Sequence, residues 1–198
     1  SYRWLEFRRV LFRSVEEMIK YIKGKGCTEI CDVCSGSGAI GIAIAEFIRS
    51  AKVTLYDISE EALAVSKLNI ERFNLSIRVN VAKSNLLKAP IEQNKKFEMI
   101  VSNPPYIRED VIPTLMDDVK GYEPYIALSG GKDGLDFYRR ITEESLQVLE
   151  KGGLLAFEIG YDQREEVSDI LLKSGFKKIE CIKDLAGNDR VVKAILAW

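Results

Sequence analysis

Glu29-Ile30-Cys31-Asp32-Val33-Cys34-Ser35-Gly36-Ser37-Gly38-Ala39-Ile40-Gly41 reads as a short strand, a tight turn and the opening of a helix. A mainly apolar run that stops at a glycine-rich turn fits a strand buried on both faces. Gly36 and Gly38 let the backbone turn sharply and approach a ligand without a Cβ in the way, and the helix beyond presents free N–H groups in its first turn. Outward from this unit, strand and helix patterns alternate. Upstream, residues 15–23 have helical spacing. Downstream lie the turn and helix at 35–49, a strand at 52–57, a helix at 60–73 and strands at 77–82 and 97–101. A helix at 135–149, a strand at 153–159 and a helix at 163–174 follow, and 177–183 with 190–197 close as a β pair around Ala186-Gly187-Asn188-Asp189. This alternation implies an α/β fold, a parallel sheet with helices on both faces. Residues 107–134 break the pattern, with Pro113, Gly121, Pro124 and Ser129-Gly130-Gly131. An irregular segment of that length inside a compact domain carries function or moves.

The chain has 198 residues, 46% hydrophobic and 30% charged, which supports one well-buried core rather than two. Its net charge of −1 provides no bulk attraction to nucleic acid or to an anionic membrane. No apolar stretch approaches the roughly 20 residues needed to span a bilayer, and no secretory signal is evident, so the expected compartment is the cytoplasm. Histidine is absent, which excludes Ser-His-Asp and Cys-His nucleophiles and histidine-based zinc sites. Cys27, Cys31, Cys34 and Cys181 include one CxxC, but Cys31 falls within a strand and no second pair completes a cage. These cysteines read as small apolar filler, and no metal is expected. Residues 1–14 mix Arg3, Arg8, Arg9 and Arg13 with aromatic residues in no regular period and read as a terminal segment, either a remnant or a non-native addition. The paired lysines Lys95-Lys96 and Lys177-Lys178 read as solvated surface.

Two signals point to a nucleoside ligand. Gly36, Gly38 and Gly41 fit GxGxxG, and Asp57 ends the next strand about twenty positions on, where a carboxylate hydrogen-bonds a ribose diol. The plain alternative is a glycine turn used for packing. The nature of the cofactor is decided by Asn103-Pro104-Pro105-Tyr106, at the end of the strand at 97–101. An amide or aromatic amine has a delocalised lone pair and is a poor nucleophile. The Asn103 side-chain carbonyl and the Pro104 backbone carbonyl can accept its two N–H bonds and turn the lone pair toward an electrophile. Pro104 and Pro105 fix their own φ and restrict the residues before them, so both carbonyls are oriented by the chain itself. Tyr106 offers a flat face to the planar group. A nitrogen nucleophile beside a nucleoside cofactor calls for a transferable methyl group, which S-adenosyl-L-methionine carries. Catalysis then rests on holding nitrogen, methyl carbon and sulfur nearly collinear.

Several motifs carry a resemblance to a known family. They are DVCSGSGAIGIAIA (32–45), YDISEEAL (56–63), VSNPPYI (101–107), EPYIALSGGKDGLDFYRRI (123–141) and GNDRVV (187–192). From residue 15 to 198 the chain is similar to class I S-adenosylmethionine-dependent methyltransferases, and within them to the protein-(glutamine-N5) methyltransferases that act on peptide chain release factors. The 123–141 stretch discriminates best, because the glycine turn and NPPY also occur in other amine methyltransferases. The resemblance implies a Rossmann-like sheet of seven mostly parallel strands with the last antiparallel. It implies cofactor contacts from Asp32, Cys34, Ser35, Gly36, Ser37, Gly38, Asp57, Ile58, Asn85, Leu86 and Asn103. It also implies an acceptor glutamine held by Asn103, Pro104, Pro105 and Tyr106, with Asn103, Pro104 and Tyr106 catalytic. The expected product is S-adenosyl-L-homocysteine, the expected partner a release factor, and the expected state a monomer. The family's N-terminal helical substrate-binding domain and its Pro-Arg-Pro-Glu-Thr-like loop have no counterpart in these residues. Asn85 stands where an acidic residue is common, and Cys34 where glycine is frequent.

Two other readings compete. A nucleic-acid adenine-N6 methyltransferase must splay out a base and normally adds a recognition region, which an acidic chain of this length does not supply. A non-catalytic S-adenosylmethionine-binding scaffold would not need Asp57, Asn103 and Tyr106 together. Glu158 and Asp162, near another strand end, are assigned to the rim with no catalytic part.

Overall fold

A computed structural model describes Ile19, Tyr21 and residues 29–114 and 125–197. The reading of residues 1–14, and most of the helix expected at 15–23, lie outside the described residues; within that helix, Ile19 and Tyr21 are helical. Seven strands are β1 (Glu29–Val33), β2 (Lys52–Asp57), β3 (Val79–Lys83), β4 (Phe97–Ser102), β5 (Leu149–Glu158), β6 (Phe176–Lys183) and β7 (Asp189–Leu196). They form one sheet in the order β3-β2-β1-β4-β5-β7-β6. The pairs among β1 to β5 are parallel, while β7 runs antiparallel to both β5 and β6.

Successive residues of each central strand enter opposite faces, as the pleat requires. Ile30, Met99 and Leu154 pack on one side with α1 (Ala39–Phe47) and Ile70 of α2 (Glu60–Arg72). Cys31, Ile100 and Leu155 pack on the other with Tyr138 and Ile141 of α5 (Asp136–Ser145) and Val167 and Leu171 of α6 (Arg164–Lys173). The sheet is therefore hydrophobic on both faces, and the central strands are mainly apolar rather than strictly alternating. Each fully buried Ile or Leu contributes about 1.5–3 kcal/mol of transfer free energy to this core. Cys31 is one of its fillers, and burial among apolar side chains, before any charge effect, drives its thiol well above the ordinary range.

The remaining elements are short. Lys88–Glu92 is one helical turn (α3), absent from the sequence expectation because five residues containing Pro90 show no amphipathic period. Residues 107–134 hold a 3-10 turn at Ile112–Thr114 and a one-turn helix, α4 (Tyr125–Leu128). The helix expected at 135–149 stops at Ser145, and Leu149 already belongs to β5. Its pairing shifts between Phe97↔Leu149 and Met99↔Leu154, an irregularity that accommodates the left-handed Gly152 at φ 76°.

Candidate active site

β1 lies between β2 and β4. From β1 the chain goes to one side, to β2 and then β3, and it recrosses to reach β4 on the other side. The crevice outside the carboxyl ends of β1 and β4 is thus the point where strand order reverses, the usual ligand position in an open α/β sheet. Val33 is opposite Ser102, whose Oγ donates to the Val33 carbonyl at 2.6 Å. Residues 34–38 and 103–106 therefore leave the sheet side by side.

The first loop is shaped by three left-handed residues, Cys34 at φ 58°, Gly36 at φ 54° and Gly38 at φ 79°. Cys34 bears a Cβ in a conformation that favours glycine, which gives a physical reason for glycine's frequency at that point of the motif. The glycines divide into two roles. A Cβ at Gly38 would come within 2.7 Å of Leu55, and one at Gly41 within 2.9 Å of Val53, so both exist to let α1 close on β2. A Cβ at Gly36 would meet nothing within 4 Å, so this glycine borders open space.

Hydrogen bonds fix the loop from behind. Asp57 accepts from Gly36 N–H through Oδ2 at 2.8 Å and from Ser59 N–H through Oδ1 at 2.9 Å. Each oxygen keeps a further lone pair for a ligand hydroxyl. Ile58 beside it is exposed. Ser66 Oγ donates to the Gly36 carbonyl and Asn69 Nδ2 to the Ser37 carbonyl, at 2.8 and 2.9 Å. Neither Ser66 nor Asn69 was a sequence candidate; the available signal was two polar residues, three apart, on one face of α2. Asp32 is buried and accepts from Gly41 N–H at 2.8 Å through Oδ2, while Oδ1 has no partner among the described residues. Burial pushes its carboxyl up to about 7, with the Gly41 N–H pulling the other way. Ser35 Oγ is a second buried oxygen of this loop without a partner among the described residues. The Cys34 thiol is pushed up to about 12, chiefly by burial, and stays protonated. After β3, the Asn85 amide oxygen accepts from Arg140 Nη2 at 3.1 Å, next to the left-handed, buried Leu86. Glu144 carries the link onward, 3.8 Å from Arg140 and accepting from Leu87 N–H at 2.8 Å. Arg140 had no sequence-assigned role.

In the second loop, neither the Asn103 side chain nor the Pro104 carbonyl has a hydrogen-bond partner among the described residues. The loop is held further along. Ile107 N–H donates to the Leu128 carbonyl, Gly130 N–H to the Ile107 carbonyl and Glu109 N–H to the Gly131 carbonyl, at 3.0, 2.8 and 3.1 Å. Gly130 and Gly134 permit this approach: a Cβ would come within 2.8 Å of Tyr106 Cα at the first and 2.5 Å of the Tyr106 oxygen at the second. Residues 128–134, within the 123–141 stretch, thus brace the NPPY loop; Glu123 and Pro124 lie outside the described residues. Glu158 is not a rim residue: it is 8% exposed, and burial pushes its carboxyl up to about 7 against the pull of Arg190. Asp162 is exposed.

A seven-stranded sheet with this strand order, and a glycine loop and NPPY meeting at its reversal point, defines a class I methyltransferase. The methyltransferase small domain family model matches residues 14–117, and the chain belongs to that family. It is 55% and 56% identical to the release factor glutamine methyltransferases of Clostridium acetobutylicum and Clostridium botulinum, over 91% of this chain and 64% of each of theirs. The crystal structure of a release-factor-specific protein-(glutamine-N5) methyltransferase from Alicyclobacillus acidocaldarius is 29% identical. It covers 96% of this chain and 91% of its own, at a TM-score of 0.57. The chain spans between half and just under two thirds of the length of the curated relatives it matches. Methyltransferases of this class draw the methyl group from S-adenosyl-L-methionine. The unpartnered buried oxygens of Asp32 and Ser35 suit the ammonium end of that molecule, and the open side of Gly36 leaves room for it.

Proposed function

We propose that residues 15–198 form a methyltransferase domain that methylates the side-chain amide nitrogen of the glutamine in the Gly-Gly-Gln motif of peptide chain release factors. The observation that carries this reading is a pair of acceptors, Asn103 Oδ1 and the Pro104 carbonyl, that have no hydrogen-bond partner among the described residues and lie beside the glycine loop at the β1/β4 crevice. The names of the clostridial and Alicyclobacillus relatives support the choice of acceptor.

When bound, S-adenosyl-L-methionine supplies a methyl carbon on a sulfonium and leaves as S-adenosyl-L-homocysteine. Asp32, Cys34, Ser35, Gly36, Ser37 and Gly38 line the methionine end. Asp57 takes the ribose hydroxyls with Ile58 at the rim, and Asn85 with Leu86 flanks the base. With its Oδ1 accepting from Arg140, Asn85 would offer its Nδ2 donor to an acceptor on the adenine edge. Asn103 and Pro104 accept the two N–H bonds of the glutamine amide, Pro105 stiffens the loop, and the Tyr106 ring packs on the amide plane. As positive charge develops on nitrogen, the two oxygens hold it, and the proton is then lost to water. No general base is required, in keeping with a chain that has no histidine. The chain acts as a cytoplasmic monomer on a protein rather than a nucleic acid, and among the described residues no helix is long and apolar enough to cross a membrane.

Tandem mass spectrometry of unmethylated release factor, incubated with the protein and S-adenosyl-L-methionine, should find one added methyl on the Gly-Gly-Gln glutamine. Asn103→Ala should remove that product while largely sparing cofactor binding, because most of the assigned cofactor contacts come from the glycine loop and Asp57. Wild-type turnover by Asn103→Ala sinks its assigned role.

A further inference from the structure

We infer that Gln163 is the positioning residue of the acceptor loop, setting where Asn103 and Pro104 stand relative to the glycine loop; the inference rests on the methyl-transfer reading. Gln163 immediately precedes α6 and is 8% exposed. Its Nε2 donates to the Tyr106 carbonyl at 3.0 Å and to the Gly134 carbonyl at 3.3 Å. Its Oε1 accepts from Gly160 N–H at 3.0 Å and from the Tyr138 hydroxyl at 3.2 Å. A primary amide has two N–H bonds and two lone pairs, and all four are used.

The orientation is determined by the partners. Turned over, the amide would set oxygen against two carbonyls and N–H against an N–H and a hydroxyl. Tyr138 shares its single proton with the Glu158 carbonyl at 3.1 Å, so the network also reaches the carboxyl end of β5. One side chain therefore joins the NPPY loop, the glycine turn after α4, the exit of β5 and helix α5. Gly134 makes this reach possible, since a Cβ there would lie 2.9 Å from Gln163 Nε2. The Tyr106 carbonyl is two residues past Pro104, so a shift of this anchor moves the acceptor oxygens themselves. A displacement near 1 Å in a reaction that depends on alignment costs on the order of a hundredfold in rate.

The test compares wild type, Gln163→Glu and Gln163→Met with release factor as acceptor. The glutamate variant keeps the shape, removes both donors and faces two carbonyl oxygens with a third. Both variants should lose turnover by roughly a hundredfold, with KM for the release factor and cofactor affinity changed by about threefold or less. The ratio of Gln163→Glu to wild-type turnover should rise as pH falls from about 8 to 6, because a protonated carboxyl regains one donor. Amide exchange at Ile107 and Gly130, whose N–H bonds close the brace, should quicken in both variants. Turnover near wild type, or an equal loss of cofactor binding and turnover, overturns the inference. If wild type itself leaves the release factor unmodified, the methyl-transfer reading fails, and unchanged exchange at Ile107 and Gly130 would overturn the anchor separately.

Discussion

Three glycines of one short motif perform different tasks. Gly38 and Gly41 are sites where Leu55 and Val53 of β2 leave no room for a Cβ, whereas Gly36 borders empty space. Gly38→Ala combines a clash with a left-handed φ and should lower stability by about 2–4 kcal/mol, read as a fall in Tm. Gly36→Ala carries the backbone penalty alone, about 1–2 kcal/mol, yet should weaken S-adenosyl-L-methionine binding the more directly, as calorimetry would measure. The motif was legible in the sequence as a tight glycine-rich turn between a strand and a helix. The division of labour within it was not, because it depends on β2 side chains that the spacing of glycines does not contain. The exit of Asn103 and Pro104 from the end of β4 was legible for the opposite reason: prolines orient their neighbours through local sterics, which sequence states directly.

At the scale of elements, α2 does more than cover the sheet. Ser66 and Asn69 hold the carbonyls of Gly36 and Ser37, so the helix fixes the back of the glycine loop. Replacing Ser66 with Ala leaves a carbonyl without its donor, at about 1 kcal/mol. The double variant Ser66→Ala, Asn69→Leu should therefore weaken cofactor binding roughly tenfold, with KM for the release factor little changed. An unchanged cofactor affinity would assign both residues to packing alone. The bounds of β1 and β2 match the sequence expectation residue for residue, since buried apolar runs between turns are unambiguous. The helix at 135–149 overshot because Leu146, Val148 and Leu149 continue an apolar pattern that the structure divides between a turn and β5. The brace formed by residues 128–134 was expected only as an irregular segment. Its contacts join positions far apart in sequence, and no local pattern encodes them.

Across the whole molecule, two buried carboxyls set the response to acid. Asp32 and Glu158 both titrate near 7 in the fold because burial disfavours their charged forms. Their ordinary values are near 4, so between about pH 4 and 7 the folded chain holds protons that the unfolded chain has released. Stability from these groups is fully present below that window and is lost as pH rises through 7. Tm should fall across the window, and Asp32→Asn with Glu158→Gln should flatten the slope. Exposed Asp133 and half-buried Asp189, held below the usual range first by hydrogen bonds from Arg139 and Lys183, act the other way at lower pH. The placement of β7 has a different kind of consequence. The last strand in sequence is inserted between β5 and β6, so β6 is made before the only described neighbour it pairs with. During synthesis on the ribosome, β5 and β6 both present open backbone edges until residues 189–196 have cleared the exit tunnel. A stalled or prematurely terminated message would release a nascent chain with two sticky borders, the form most prone to aggregate and most in need of a chaperone.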